Sequence, residues 1–467
     1  MSHTLVMERH LEAPSAADLT LWSLRGLAVL DARFDVRMQG PELRLLIEDR
    51  VLARMPPAPA TARPATGASV ATEIARFYEA AWAASPALRR AGAERLLESG
   101  FDELFNHLDP YSRYVTPNEA REARERRVGQ SGLGLRVATR GESLLMVSVL
   151  RGGAAAQAGI RPGDRLLAVD GVPTDGRDPG RAATLLEGPE DSAVTLTIRR
   201  DGGRSRDVTL TRQLVLPETV ESQLRDGILW VRVAGFSTLT DRRIAQVLAD
   251  GFAGRPPRGV VLDLRGNRGG LLGKALTVAD AFLAEGEVAR TEGRHPDANR
   301  RYEAGGQDLA RGQPVVVLVD GRTASAAEIV AAGLMERGRA VVVGSTTTGK
   351  GLIQLVAPLP NEAELLVSWA RVVAPSGWPI QGLGVLPALC TSLGPEALAR
   401  ALAQLNRGES PMAPVLARQR AARAPVPTEE ITTLRGACPP AEGRGADLTA
   451  ARALIDSPVA YRAALNR

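Results

Sequence analysis

The amino-acid sequence predicts a multidomain α/β (α+β) protein with a helical N-terminal region. Three observations carry this. The order buried strand, glycine-containing turn, helix occurs twice, at 259–283 (GVVLDLRGNRGGLLGKALTVADAFL) and at 315–337 (VVVLVDGRTASAAEIVAAGLMER). Such repeats suggest crossover-connected strands with helices outside. Between 128 and 212 the texture changes to short alternating strands, and Asp201-Gly202-Gly203 between two of them is a hairpin signal. From Ser69 to Leu97 the residues Ile74, Phe77, Tyr78, Ala81 and Trp82 recur at three- and four-residue spacing, which predicts helix.

At 467 residues the chain is long enough for two or three domains, each with its own core. Its 44% hydrophobic and 24% charged content is ordinary for a globular protein. No apolar run is long enough to predict a transmembrane helix. Arg25 interrupts the only apolar candidate near the N-terminus, so no ordinary signal peptide is read. The net charge of +5 is spread along the chain, and no basic stripe interleaves with the few aromatics, so nucleic-acid binding is not expected. Cys390 and Cys438 have no metal-type spacing; they pair in an oxidising compartment or stand as two thiols. No metal site and no cofactor is expected.

Taken in order, residues 1–66 show mixed patterns and end in the linker-like run MPPAPATARPATG, with accessory packing or dimer contact as their plain reading. Residues 67–127 form a helical part. Asp109-Pro110 should stop one helix, and Thr116-Pro117 with Glu119 should start another. The β-rich module occupies 128–212. A second α/β region, 213–395, holds the two strand–turn–helix repeats and further strands at 339–344, 352–359 and 365–373. The extension 396–467 contains a helical stretch, a Pro-rich region at 411–440 and a last helix at 448–465.

Candidate chemistry gathers at the second repeat. Val315–Val319 reads as a strand buried on both faces, and Ser325 stands where the following helix begins. Lys350 and Gln354 lie four residues apart in an extended pattern and share one strand face. Of 58 Lys and Arg residues only Lys274 and Lys350 are lysines. Arginine keeps its proton at any working pH, whereas a desolvated lysine can become a neutral base. A serine at a strand–turn–helix junction with such a lysine and an amide suggests a nucleophile and its base. The plain alternative is that Ser325-Ala-Ala-Glu328 is a capping box, with Glu328 reaching back or lying on the helix surface. His3, His10, His107 and His295 sit outside these motifs, and HExxH is absent.

The module at 128–212 resembles a PDZ domain, on Gly132-Leu133-Gly134-Leu135, on AGIRPGDRL at 158–166 and on Val169-Asp170-Gly171. Adding LDPYSRY at 108–114, DLRGNRGG at 263–270, 320–328, 349–354 and PSGWPIQGLGVLP at 375–387, the chain is similar to the carboxy-terminal processing peptidases (tail-specific proteases) over about 70–390. Arg268 stands where that family often has proline, and Ala388 where it usually has aspartate. The resemblance implies a crotonase/ClpP-like protease core beside the PDZ domain. It makes Ser325 the nucleophile, Lys350 the general base and Gln354 the residue that orients the lysine. The backbone N–H of Ala326 and of a glycine in Gly269-Gly270 would form the oxyanion hole, and Gly132, Leu133, Gly134 and Leu135 would bind a peptide terminus. Expected partners are protein or peptide substrates with apolar C-terminal tails; peripheral envelope association and a homo-oligomer stay open. The family usually works in the periplasm or cell envelope. Two other readings stand beside this one: a catalytically inactive PDZ-containing adaptor, and a lysine-dependent acyl-processing enzyme of the crotonase class.

Overall fold

The structure, a computed structural model, describes residues 2–56, 65–150 and 152–465. Most of the linker-like run lies outside these residues. The chain divides into two compact units, one of Met1–Glu122, Thr219–Phe236 and Thr240–Arg467, the other of Ala123–Glu218 with Ser237–Leu239. Among the described residues no helix is long and apolar enough to cross a membrane.

The larger unit is built on a six-stranded sheet in the order Val220–Arg225, Ile228–Val233, Gly259–Asp263, Val315–Val319, Ala340–Gly344, Leu389–Cys390. Only the first pair is antiparallel. Gly259–Asp263, Val315–Val319 and Ala340–Gly344 are buried at every residue, as unbroken Val/Leu runs require in a parallel sheet covered on both faces. The helix Ala326–Glu336 after Val315–Val319 is buried at all but its last residue, so its alanines are packing positions rather than a surface choice.

A second sheet, in the order Arg300–Ala304, Gly286–Glu292, Glu364–Val373, Leu352–Pro358, also receives Arg113–Val115 against Glu364–Val373. The N-terminal segment is integral to this unit. Its helices, with the meander Phe34–Gln39, Glu42–Ile47 and Arg50–Met55, share a core with Phe77, Leu104, Ala363 and with Leu365 and Val367 of the second sheet. The helical pattern at 69–97 is broken into Gly67–Ala84, Pro86–Ala91 and Ala93–Asn106, because Pro86 cannot continue a helix and serves instead as a first helical residue.

The C-terminal extension closes the other side. Helices Ala413–Ala421 and Thr428–Gly436 occupy the region that composition alone marks as Pro-rich, and the last helix is two, Gly445–Asp456 and Pro458–Leu465. Leu405, Leu416, Leu434 and Leu454 join the main core. Cys390 and Cys438 are joined in a disulfide with Cα atoms 5.7 Å apart, tying this extension to the last strand of the main sheet.

The smaller unit is a sheet ordered Ser205–Thr211, Ala193–Arg199, Arg165–Val169, Ser143–Val149, Leu135–Arg140, around a core that includes Leu144, Met146, Ile160 and Leu196. The hairpin expected at 201–203 joins the first two of these strands. Leu135–Arg140 lies at the sheet's edge and, among the described residues, pairs only with Ser143–Val149.

Candidate active site

Ser325 sits at the turn between Val315–Val319 and Ala326–Glu336 with φ +58° and ψ −124°. That is a strained conformation for a side chain with a Cβ, costing of order 1–3 kcal/mol. The Glu328 carboxylate, fully buried, accepts the Ser325 N–H at 2.8 Å, and the Glu328 N–H goes to the Ser325 carbonyl oxygen at 2.8 Å, so the capping box is present with Glu328 reaching back to the serine. Glu328 is therefore no surface residue. Its Oε1 also accepts the hydroxyl of Thr347 and the N–H of Gly349 (2.7 Å), and its Oε2 the N–H of Lys350 (2.9 Å). One carboxylate thus holds the backbone of the serine and of the lysine. Burial pushes the Glu328 carboxyl above the ordinary carboxylate range, against the pull of its four donors.

Lys350 precedes the strand Leu352–Pro358, and a bulge falls between Ile353 and Gln354. The lysine and the amide nonetheless meet: Nζ donates to Gln354 Oε1 at 3.1 Å. Gln354 Nε2 in turn donates to the Tyr111 carbonyl, and the Lys350 ammonium position stands 5.0 Å from the Tyr111 ring centroid. Burial lowers the Lys350 pKa and the nearby Arg113 lowers it further, while Asp109 and Glu328 raise it. Desolvation prevails, so the amine loses its proton more readily than an exposed lysine.

The glycine turn 266–270 faces the serine. A side chain at Gly269 (φ +98°) would place its Cβ 2.9 Å from Ser325 Cβ and 3.1 Å from the Ala326 nitrogen. Glycine there keeps open the space before the first N–H of the helix. The two glycines expected to donate are not equivalent. Gly269 N–H is already given to Asn267 Oδ1 at 2.8 Å, which leaves Gly270 as the candidate donor of the pair. Buried Asn267 fixes the turn by also donating from Nδ2 to the Val233 carbonyl at 2.9 Å and accepting Ala324 N–H at 2.9 Å.

The family model described as peptidase family S41 matches residues 227–389, and a PDZ-domain model matches 146–200. Among solved structures, the photosystem II D1 C-terminal processing protease is similar, with 24% identity over 82% of this chain and 97% of its own and a TM-score of 0.40. The carboxy-terminal processing protease CtpA of Bacillus subtilis is 28% identical over 326 residues, 69% of each chain. The carboxy-terminal-processing protease of Bartonella bacilliformis is 33% identical over 299 residues, 63% of this chain and 69% of its own. The chain belongs to the carboxy-terminal-processing peptidases of family S41.

In this peptidase the 132–135 loop lies in the PDZ unit. Gly132 ends the strand Gln130–Gly132, Leu133 is buried, Gly134 has φ +69° and Leu135 opens the edge strand. The carbonyls of Leu133 and Gly134 accept Ala155 N–H (3.0 Å) and Leu150 N–H (2.7 Å), which pins the loop from behind. Sequence reasoning missed three contributors to the core site of the peptidase: Glu328 as the common anchor, Tyr111 as the platform beneath the lysine, and Asn267. The signal for Tyr111 is the LDPYSRY motif, whose Tyr111 carbonyl the fold brings to Gln354 and whose Tyr111 ring it brings to Lys350.

Proposed function

We propose that the protein is a serine endopeptidase that cuts protein substrates near their C-termini, with Ser325 as nucleophile and Lys350, in its neutral form, as general base. The observation that carries this reading is the Lys350–Gln354 contact: a partly buried amine with a lowered pKa, held by an amide oxygen in place of a carboxylate. A carboxylate partner would raise the lysine pKa and keep the proton on the amine. Each unit by which that pKa is depressed corresponds to about 1.4 kcal/mol set against the charged form.

Neutral Lys350 takes the proton of Ser325 Oγ as the oxygen attacks the scissile carbonyl. Negative charge collects on the carbonyl oxygen, facing the Ala326 N–H at the helix N-terminus and the Gly270 N–H. The ammonium now on Lys350, steadied by Gln354 and by the face of the Tyr111 ring, delivers its proton to the leaving amine. Water repeats the sequence on the acyl-enzyme with Lys350 again as base. In the PDZ unit, the N–H groups of 133–135 would receive a terminal carboxylate, and the open edge of Leu135–Arg140 would pair with the extended tail. The Cys390–Cys438 disulfide supports a working place in the periplasm or cell envelope rather than a reducing cytosol.

The test is incubation of wild type, Ser325→Ala and Lys350→Arg with an unfolded protein bearing an apolar C-terminal tail, with products mapped by mass spectrometry. Cleavage by wild type alone is expected, since arginine keeps the charge but cannot serve as a neutral base. Turnover by Lys350→Arg would sink the dyad. Absence of cutting by wild type would favour the adaptor reading.

A further inference from the structure

We infer that the N-terminal segment of the chain, through His10 and Asp109, positions the Lys350–Gln354 pair, so that residues far from the catalytic core in sequence set the aim of the general base. The inference rests on the reading of Lys350 as base. It starts at Ser368, which lies directly opposite Gln354 in the pairing of Leu352–Pro358 with Glu364–Val373. Ser368 is fully buried, and each of its polar groups is committed. Its carbonyl accepts Leu11 N–H at 2.8 Å, its N–H goes to Ser112 Oγ at 2.9 Å, and its hydroxyl goes to Asp109 Oδ1 at 2.8 Å. The strand facing Gln354 is thereby stitched both to the end of the helix Ser2–Arg9 and to the 108–114 turn.

Asp109 is the centre of that stitching. Its Oδ1 also accepts the N–H groups of Tyr111 (2.9 Å) and Ser112 (3.0 Å), and its Oδ2 accepts the Ser112 hydroxyl and His10 Nε2 (2.9 Å). Burial alone would raise the Asp109 carboxyl, but these donors hold it well below the usual carboxylate range. It is an acceptor only, so His10 Nε2 carries the proton and donates. His10 itself is fully buried, with Nδ1 3.1 Å from the Glu12 nitrogen. The turn so fixed presents two things to the site: the Tyr111 carbonyl, which takes the Gln354 amide, and the Tyr111 ring beneath the lysine. Loss of the His10 bond frees the turn, and the amide that aims Lys350 drifts with it. Because His10 is fully buried and Asp109 nearly so, a change there should spare binding while the chemical step suffers.

The experiment measures kcat and KM of the full chain on one tailed substrate for wild type, His10→Ala, His10→Gln, Asp109→Asn and Lys350→Arg. His10→Ala should lose on the order of 10- to 100-fold in kcat with KM little changed, the cost of a small misplacement of reacting groups. His10→Gln can still donate to Asp109 and should recover most of it. Should His10→Ala fail to fold, Asp109→Asn, of the same shape, carries the test with the same kcat loss on the alkaline plateau of its pH profile, where its effect on the Lys350 pKa drops out. A kcat within about twofold of wild type in any folded His10→Ala or Asp109→Asn protein overturns the inference, as does a loss confined to KM or one that glutamine leaves unrepaired. Lys350→Arg separates the two levels. An inert Lys350→Arg beside a fully active His10→Ala removes the brace alone; an active Lys350→Arg removes the base it would aim.

Discussion

Glu328 and Lys350 are bound to each other through the backbone of the lysine, whose N–H lies 2.9 Å from Glu328 Oε2, the same oxygen that takes the N–H of Ser325. Ser325 and Lys350, 25 residues apart, are thus registered on one atom rather than by the packing of two loops. The carboxylate needs acceptor capacity on both sides, because all four of its partners are donors. Glu328→Gln keeps the shape but turns an NH2 group toward two of them. We expect kcat to fall on the order of 100-fold with a small misplacement of the dyad, and stability to drop by about 1–3 kcal/mol for buried donors left unpaired. Steady-state kinetics and thermal denaturation of this variant check both; wild-type kcat would show that the common anchor does not matter.

Asp109 and Arg113 flank the Tyr111 platform and act on Lys350 in opposite senses. With Lys350 as the proposed base its reactive form is the neutral amine, so kcat/KM should rise with pH through its pKa, which lies below that of an ordinary lysine. Asp109 raises that pKa, as does Glu328, and Arg113 lowers it. Asp109→Asn should therefore move the acid limb of the pH–rate profile to lower pH, whatever it does to the amplitude, and Arg113→Gln should move it to higher pH. Limbs that move together, or stay in place, would mean that another group titrates.

The same group ties stability to pH. Because folding depresses the Lys350 pKa, the unfolded chain holds this proton over a range in which the folded one has released it. Stability should rise as pH climbs from the folded pKa of Lys350 to its unfolded value near 10.4. Lys350→Met has no proton to lose, so the difference in unfolding free energy between the variant and wild type should favour the variant at neutral pH and shrink as pH rises through that window. Chemical denaturation across pH measures it; a difference independent of pH would show that the lysine is not desolvated.

Much of the fold follows from local sequence pattern alone. Unbroken β-branched runs can only be strands covered on both faces, and a hairpin turn between alternating runs has few other uses. Lys350 stands out because lysine is nearly absent elsewhere, Ser325 by its place at a strand–turn–helix junction, and Gln354 by its four-residue spacing from the lysine. Glu328 was hidden by its own pattern: Ser-Ala-Ala-Glu reads the same whether the glutamate lies on the surface or, as here, is buried against Thr347, Gly349 and Lys350. His10 and Asp109 are 99 residues apart, and no local periodicity joins them. The helices within 411–440 were masked because Pro414 and Pro427 fall at helix starts, where proline is tolerated, while composition alone counts them as breakers.

Gly269 offers a steric test of the oxyanion site. Alanine there meets two obstacles: φ of +98°, which a side chain rarely adopts, and a methyl 3.1 Å from the Ala326 nitrogen and 2.9 Å from Ser325 Cβ. The methyl would stand where a substrate oxygen must approach the Ala326 N–H. Gly269→Ala should lower kcat by about 100-fold or more, comparable to removing one oxyanion donor. Kinetics on a tailed substrate, with circular dichroism to confirm the fold, decide the matter. A variant that turns over normally would place the substrate oxygen elsewhere.

The disulfide provides the last prediction. Cys390 and Cys438 are 48 residues apart in sequence, and both are buried. Closing a loop of that size removes chain entropy from the unfolded state, so a paired Cys390→Ser/Cys438→Ser variant should lose roughly 2–4 kcal/mol of stability. The helix Thr428–Gly436 just before Cys438 also carries Arg435, whose Nη1 donates to the carbonyls of Thr347 (3.0 Å) and Leu383 (2.9 Å). The Thr347 hydroxyl is one of the donors to Glu328, and Lys350 lies three residues further on. Loosening the tether should therefore weaken the segment that presents the base, and activity should fall at temperatures where the protein is still folded. Parallel melts and rate measurements, with and without a thiol reductant under partly denaturing conditions, check this. If the serine pair melts with wild type, the link between extension and core rests on packing alone.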